Sequence, residues 1–312
     1  MKLEKIKALV SNSPMVEIKY RFNNEIRIAY AECSFYSLTG SIKDRVAYQV
    51  IYDAYTMGAI RKGDPIVEVS SGNMGISLTA IANITGNPIT ILMPSSMSIE
   101  RKQLLTMYGA NLIEVDSFKT AFNKCKELQN KGYFCTSQFD NFSNIKAHYD
   151  ITGENIINKL HFKPLSNFVA GIGTSGTLMG SGKKIKECRN TKIVAIEPEN
   201  ARIISGVYPL KQHKLQGLSD EILPSIYNAD IVDNIVQISD NDAIAMAQKL
   251  CKELSLGVGI SSGANFLGCV LSGNHSATVF PDDNKKYLST DLSCPITTPT
   301  VDSIELIDMR YL

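Results

Sequence analysis

No stretch of this 312-residue chain stays apolar for the roughly 18–20 residues that a helix needs to cross a bilayer. No membrane partner is therefore expected. The first residues, Met1-Lys2-Leu3-Glu4-Lys5-Ile6-Lys7, are charged and lack the apolar centre of a secretory signal. A cytoplasmic location is the expectation that follows. Net charge is nearly absent, since 32 Lys and Arg face 31 Asp and Glu to leave +1. No global field draws nucleic acid, and any anion recognised must be held by a local site. Paired metal-type cysteines are missing too. The seven cysteines (Cys33, Cys125, Cys135, Cys188, Cys251, Cys269 and Cys294) are odd in number and show no CxxC spacing. That argues against a disulfide framework or a zinc knuckle, and each reads as a small buried apolar residue. The four histidines, His148, His161, His213 and His275, have no HExxH or other metal-ligand spacing. They read as structural or surface groups, and no metal is expected. There is no repeat of solenoid length and no low-complexity linker.

What is present is an alternation of apolar strands and amphipathic helices. Hydrophobic residues make up 44% and charged residues 20%, ordinary for a globular chain with room for one or two domains. Ile66-Val67-Glu68-Val69 reads as a buried strand, Met74 to Ile84 as a helix and Ile89 to Met93 as the next strand. Ser98 to Tyr108 follows as a helix with Ser98 as its N-cap, then a strand at Asn111 to Val115 and a helix from Thr120 to Lys131. The rhythm resumes with strands at Asn167 to Gly171, Lys192 to Glu197 and Ala277 to Pro281, and a helix from Asp240 to Leu254. Such βαβ alternation predicts mostly parallel sheets covered by helices on both faces, in two α/β units with a ligand crevice between them.

Three short runs carry chemistry. Gly171-Ile172-Gly173-Thr174-Ser175-Gly176-Thr177 joins a strand to a helix. Its glycines allow close approach to an anion, and helix-start N–H groups bind phosphate. Alone the run is equally a structural turn. It fits a dinucleotide loop only loosely, without an acidic ribose partner, and it lacks the Gly-Lys-Ser/Thr ending of a Walker loop. The second run is Thr39-Gly40-Ser41-Ile42-Lys43-Asp44-Arg45, whose lysine taken alone is an ordinary surface group. The third is Ser70-Ser71-Gly72-Asn73-Met74-Gly75.

With the lysine run first, the Ser-Gly-Asn run second and the glycine loop third along the chain, and with flanking runs from Asn12-Ser13-Pro14-Met15-Val16 to Tyr287-Leu288-Ser289-Thr290, the chain resembles the cysteine synthase and cystathionine β-synthase family of pyridoxal phosphate (PLP) enzymes. The resemblance implies the tryptophan-synthase-β-like fold, fold type II: two three-layer α/β/α domains with PLP in the cleft between them. It implies a larger cofactor-binding domain from residues 1–35 and 147–312, and a smaller mobile domain, 36–146, carrying Lys43 and the substrate-carboxylate loop. A homodimer is implied as well. Residue by residue, it implies that Lys43 forms the Schiff base with PLP and that Asn73 meets the ring hydroxyl. Gly173, Thr174, Ser175, Gly176 and Thr177 would cradle the phosphate, and Ser261, in Gly259-Ile260-Ser261-Ser262-Gly263, would meet the pyridine nitrogen. Ser70, Ser71, Asn73, Met74 and Gln138 would line the substrate carboxylate. A lysine suits this task, because its amine forms an imine and, once displaced, removes an α-proton. A neutral serine at the ring nitrogen favours loss of a β-substituent over transamination.

The chain departs from the family in places. Met74 stands where threonine is common, Ser175 where glycine is usual, and Gly217-Leu218-Ser219-Asp220-Glu221-Ile222-Leu223-Pro224 replaces a glycine-rich run that borders the substrate's β-carbon. The two acids have a plain reading, a solvated helix start capped by Ser219. They also have a sharper one, with Asp220, or failing that Glu221, as general base toward water or a thiol adding to an aminoacrylate intermediate. Acids there would repel a phosphorylated substrate. Two β-replacement activities are thus expected to compete: cysteine synthase (O-acetylserine plus sulfide to cysteine), favoured by family frequency, and its counterpart (cysteine plus water to serine plus hydrogen sulfide), favoured by Asp220. A non-catalytic PLP-fold regulator is the alternative of another class, and intact Lys43 and Asn73 speak against it.

Overall fold

A computed structural model of the chain describes residues 2–206, 210–219 and 222–312. Eleven strands among them form two sheets. The first two, β1 (Met15–Phe22) and β2 (Glu25–Cys33), make an antiparallel hairpin. Asn23 and Asn24 between them both take positive φ, 52° and 63°, the two-residue turn whose twist matches that of the strands. The last strand, β11 (Glu305–Tyr311), lies antiparallel on β1. From β2 inward the sheet is parallel: β10 (Ser276–Phe280), β7 (Asn167–Gly171), β8 (Lys192–Pro198) and β9 (Asn234–Ile238), in the order β11-β1-β2-β10-β7-β8-β9. A smaller, wholly parallel sheet has the order β5-β4-β3-β6, from β3 (Ile66–Val69), β4 (Ile89–Pro94), β5 (Asn111–Val115) and β6 (Phe134–Cys135). The α/β class and the parallel sheets expected from the alternation are present. The hairpin, β6, β9 and β11 lie outside it.

The longer helices are α1 (Lys43–Thr56), α2 (Asn73–Thr85), α3 (Ile99–Met107), α4 (Phe118–Asn130), α5 (Gly176–Cys188), α6 (Asp240–Leu254) and α7 (Ile260–Ser272). Lys43 is therefore the first residue of a helix, not part of a loop. Helix α1 buries Val46, Ala47, Val50 and Ile51 in one cluster with Ile66, Met74, Ile76 and Ile91, which packs it on the smaller sheet. Its Arg45 crosses to the larger sheet. There it pairs with Glu32 of β2 at 2.7 Å and donates to Ser13 and Thr152, all four buried.

Three local expectations need correction. Ser98 precedes α3 but makes no cap; its buried hydroxyl donates instead to the Lys286 carbonyl at 2.9 Å, an acceptor brought from the other side of the cleft. Ser219 caps no helix. It is buried with φ +47°, its N–H bonds the Ile172 carbonyl at 2.8 Å, and residues 222–228 are not helical. Of the cysteines, Cys33, Cys125 and Cys269 are buried, while Cys188 and Cys294 are exposed. Among the described residues no helix is long and apolar enough to cross a membrane.

Candidate active site

Loops that leave the carboxyl ends of strands in both sheets converge on one cleft, the usual ligand position in open α/β sheets. Strand β7 runs into the Gly171–Thr177 loop, β3 into Ser70 and Ser71, β6 toward Gln138, and β10 into Pro281. Ile42, Lys43, Asn73, Met74, Arg101, Ser261 and residues 216–218 complete the lining. The structure thus brings together every described residue that the sequence singled out for the cofactor or substrate. Asp220 and Glu221 lie outside the described residues.

Lys43 reaches across the cleft, its Nζ donating to Thr174 Oγ1 at 3.2 Å. The Thr39 hydroxyl and N–H both donate to Asp44, the second residue of the helix, at 2.5 and 2.8 Å, which closes the preceding turn. Asn144, which the sequence reading missed, donates to Thr174 Oγ1 and to the Gln138 carbonyl, both at 2.9 Å, so one amide ties the two sides of the cleft.

Close packing explains the loop's glycines. A Cβ on Gly173 would strike the Gly217 carbonyl, and one on Gly176 the Asn144 amide. Ser175 holds φ +69°, left-handed backbone that glycine adopts freely and serine does not. Behind the loop, fully buried His148 meets Thr152 Oγ1 through Nδ1 at 2.9 Å and Thr177 Oγ1 through Nε2 at 3.2 Å. Burial, aided by the charges of Lys43 and Arg45, holds this imidazole well below its ordinary pKa, so it stays neutral.

On the other wall, Ser70 Oγ accepts from the N–H groups of Gly72 and Gly75 at 3.0 and 2.9 Å and so organises the start of α2. Asn73 Nδ2 donates to Asp282 Oδ2 at 2.7 Å, while Tyr287 OH donates to the same oxygen at 2.8 Å. Arg101 donates to Tyr287 OH at 2.8 Å and to the Ser71 carbonyl at 2.9 Å. Arg101, Asp282 and Tyr287 are each about 1% exposed. Sequence reading passed over this triad because Arg101 stands 181 or more positions before Asp282 and Tyr287, and the three form a unit only when the sheets pack. Gln138 Nε2 donates to the Val69 carbonyl at 2.9 Å, which fixes its side chain at the cleft. Met74 is buried and lines the same wall.

A family profile described as pyridoxal-phosphate dependent enzyme matches residues 6–283. Cysteine synthase B of Campylobacter jejuni is 38% identical over 304 residues, covering 93% of this chain and 98% of that protein. The structure of a hydrogen sulfide-producing enzyme from Fusobacterium nucleatum superposes with a TM-score of 0.96 at 42% identity, covering 100% of this chain and 98% of that one. An aspartate-to-asparagine mutant of a hydrogen sulfide-producing enzyme, complexed with the α-aminoacrylate intermediate, matches equally, at 42% identity and TM-score 0.96 over 100% of this chain and 99% of that one.

Proposed function

Because the chain belongs to the pyridoxal-phosphate-dependent enzymes, and among them to the cysteine synthase family, we propose that it runs β-replacement toward sulfide release: L-cysteine plus water gives L-serine plus hydrogen sulfide. The observation that carries this direction is the 42% identity, over the whole chain, to an enzyme that produces hydrogen sulfide. The acids at 220 and 221 support it from the sequence. PLP is the cofactor of this family, and the cleft suits it chemically. Asn73 Oδ1 and Ser175 Oγ are buried polar atoms without a hydrogen-bond partner among the described residues, and a phosphorylated pyridine supplies partners of the kind they need.

In this reading Gly173–Thr177 hold the phosphate with loop N–H groups and hydroxyls at the start of α5, where the helix dipole favours an anion. Asn73 contacts the ring hydroxyl. Ser261, in the first turn of α7 and on the cleft, would meet the ring nitrogen. A neutral hydroxyl beside a positive helix end disfavours protonation there. When bound, PLP would supply the electron sink for loss of the α-proton and of the β-substituent. Lys43 Nζ would hold the cofactor and, once displaced, would take the α-proton; Thr174 Oγ1 accepts from that amine and steadies it in the cleft. Ser70, Ser71, Asn73, Met74 and Gln138 line the place of the substrate carboxylate, and with threonine absent at 74 the contact there is left to the backbone N–H. Asp220 takes the proton of the water that adds to the β-carbon. A related hydrogen sulfide-producing enzyme, seen as an aspartate-to-asparagine mutant complexed with the α-aminoacrylate intermediate, supports this reading.

The purified enzyme given L-cysteine should release sulfide and serine in equal amounts without pyruvate. Much faster turnover of O-acetylserine with sulfide would overturn the direction and favour cysteine synthesis, the activity named for the 36–38% identical relatives. Asp220→Asn should release sulfide once per site and then slow by about 10²–10⁴-fold; unchanged steady-state turnover removes Asp220 from the mechanism. Lys43→Ala should abolish turnover and the borohydride-reducible cofactor adduct together. The same reading takes residues 1–35 with 147–312 and residues 36–146 as the two domains of a cytoplasmic homodimer, which sedimentation velocity tests directly.

A further inference from the structure

Two cysteines that take no part in the cleft meet beside the smaller sheet. Cys125 on α4 and Cys135 at the end of β6 bring their Sγ atoms to 3.1 Å. The Ser137 hydroxyl donates to Cys135 Sγ at 3.2 Å. Cys125 is buried at 3% exposure, whereas Cys135 is partly exposed. The surroundings of the two sulfurs differ in kind. Cys125 faces the apolar layer of Val67, Val69 and Leu92, where burial favours the protonated thiol. Cys135 Sγ accepts from the Ser137 hydroxyl and shares a hydrogen bond with Cys125 Sγ, contacts that favour a thiolate there. Accordingly the hydrogen bond between the two sulfurs holds the Cys135 thiol down to about 6 against its burial, and the same bond, with burial, pushes Cys125 up.

We propose that Cys125 and Cys135 form a peroxide-reactive dithiol that closes reversibly to a disulfide. Cys135 Sγ, as thiolate, attacks one oxygen of a hydroperoxide. The O–O bond breaks, a sulfenic acid forms, and the departing oxygen takes a proton and leaves as water or alcohol. Cys125 Sγ then attacks the sulfenic sulfur, the S–O bond breaks, and a second water leaves with the Cys125 proton. Two thiols lose two electrons and the peroxide gains them. The sulfurs need approach by only about 1 Å to reach bonding distance. A partly exposed low-pKa thiol beside a buried resolving thiol is the arrangement that yields a disulfide rather than overoxidation. Exchange with a small-molecule thiol reopens it.

The test uses the holoenzyme with stoichiometric hydrogen peroxide, alkylation of remaining thiols, and unreduced peptide mapping by mass spectrometry. The expected product is one peptide pair linked Cys125 to Cys135, two hydrogens lighter than the separate thiols and lost on dithiothreitol treatment. In Cys125→Ala the link should vanish and Cys135 should be trapped by dimedone as a sulfenic acid. Without any substitution, iodoacetamide at near-neutral pH should label Cys135 roughly tenfold faster than exposed Cys188. Oxidation of Cys188 or Cys294 first, with Cys125 and Cys135 still alkylated in full, would overturn the proposal. So would sulfinic acid at Cys135 without a link in the unsubstituted enzyme.

Discussion

Glu68 is fully buried on β3, where its carboxyl accepts from the N–H groups of Val69 at 2.8 Å and Gln138 at 3.3 Å and meets the Thr136 hydroxyl. Burial, reinforced by neighbouring Cys135, pushes its pKa up to about 8 against those hydrogen bonds. The native state therefore keeps a proton that the unfolded chain has already released above its ordinary value of 4.5. Stability from this group is full below that ordinary value and is lost as pH rises toward about 8, at no more than about 1.4 kcal/mol per pH unit. Glu68→Gln should flatten the fall of the urea midpoint between about pH 5 and pH 8, and should be the more stable of the two at the alkaline end. An identical slope in both proteins would exclude Glu68 as its source. Gln138 accompanies Glu68 in this contact, so a buried acid and a cleft residue share one hydrogen bond.

Helices α6 and α7 meet where Gly263 leaves no room for a side chain. A Cβ there would strike the Ala243 carbonyl and lie 2.7 Å from Ala247 N, both backbone groups of α6 that cannot swing aside. Helix α7 is also the element that presents Ser261 to the cleft from its first turn. Gly263→Ala is expected to destabilise by about 1–3 kcal/mol, the range for overpacking a filled contact. It should also speed loss of PLP on dialysis, as displacement of α7 moves Ser261. A wild-type urea midpoint with wild-type cofactor retention would show that α7 can shift without strain. The N-terminal end of α2 follows a related rule, since a Cβ on Gly72 would collide with the Arg101 side chain.

At the scale of the whole molecule, the two sheets are joined by buried polar links as well as by apolar packing. Arg101 from α3 reaches Tyr287, Tyr287 reaches Asp282 beyond β10, and Asp282 holds Asn73. The loop expected to hold the substrate carboxylate is thus anchored to the far side of the cleft. Tyr287→Phe keeps the ring but removes the hydroxyl that accepts from Arg101 and donates to Asp282. A buried donor left unsatisfied costs about 1–3 kcal/mol. If the network positions Ser71 and Asn73, KM for the amino-acid substrate should rise about tenfold while kcat changes less. Equal loss in kcat with KM unchanged would assign the network to the chemical step instead.

Much of this was legible along the chain because it rests on local physics. Apolar runs such as Ile89–Leu92 specify buried strands, glycines mark the loop at 171–176, and the adjacent runs around Lys43 and Asn73 carry their chemistry in neighbouring letters. The helix that begins at Lys43 was harder to see, because Asp44 turns back to Thr39 rather than acting as a surface acid. Ser98 was misread for a similar reason: a carbonyl from residue 286 outcompeted the helix for its hydroxyl. The sequence by itself determined the α/β class and the short runs that line the cleft around Lys43, Asn73 and Gly173, since each depends on residues within a few positions of one another. Only the tertiary structure decided that Asn144 joins Thr174 to Gln138, that Arg101 and Tyr287 hold the Asn73 side, and that Cys125 touches Cys135. Such contacts arise when separate elements pack, and no pattern along a single segment encodes which distant partner will arrive.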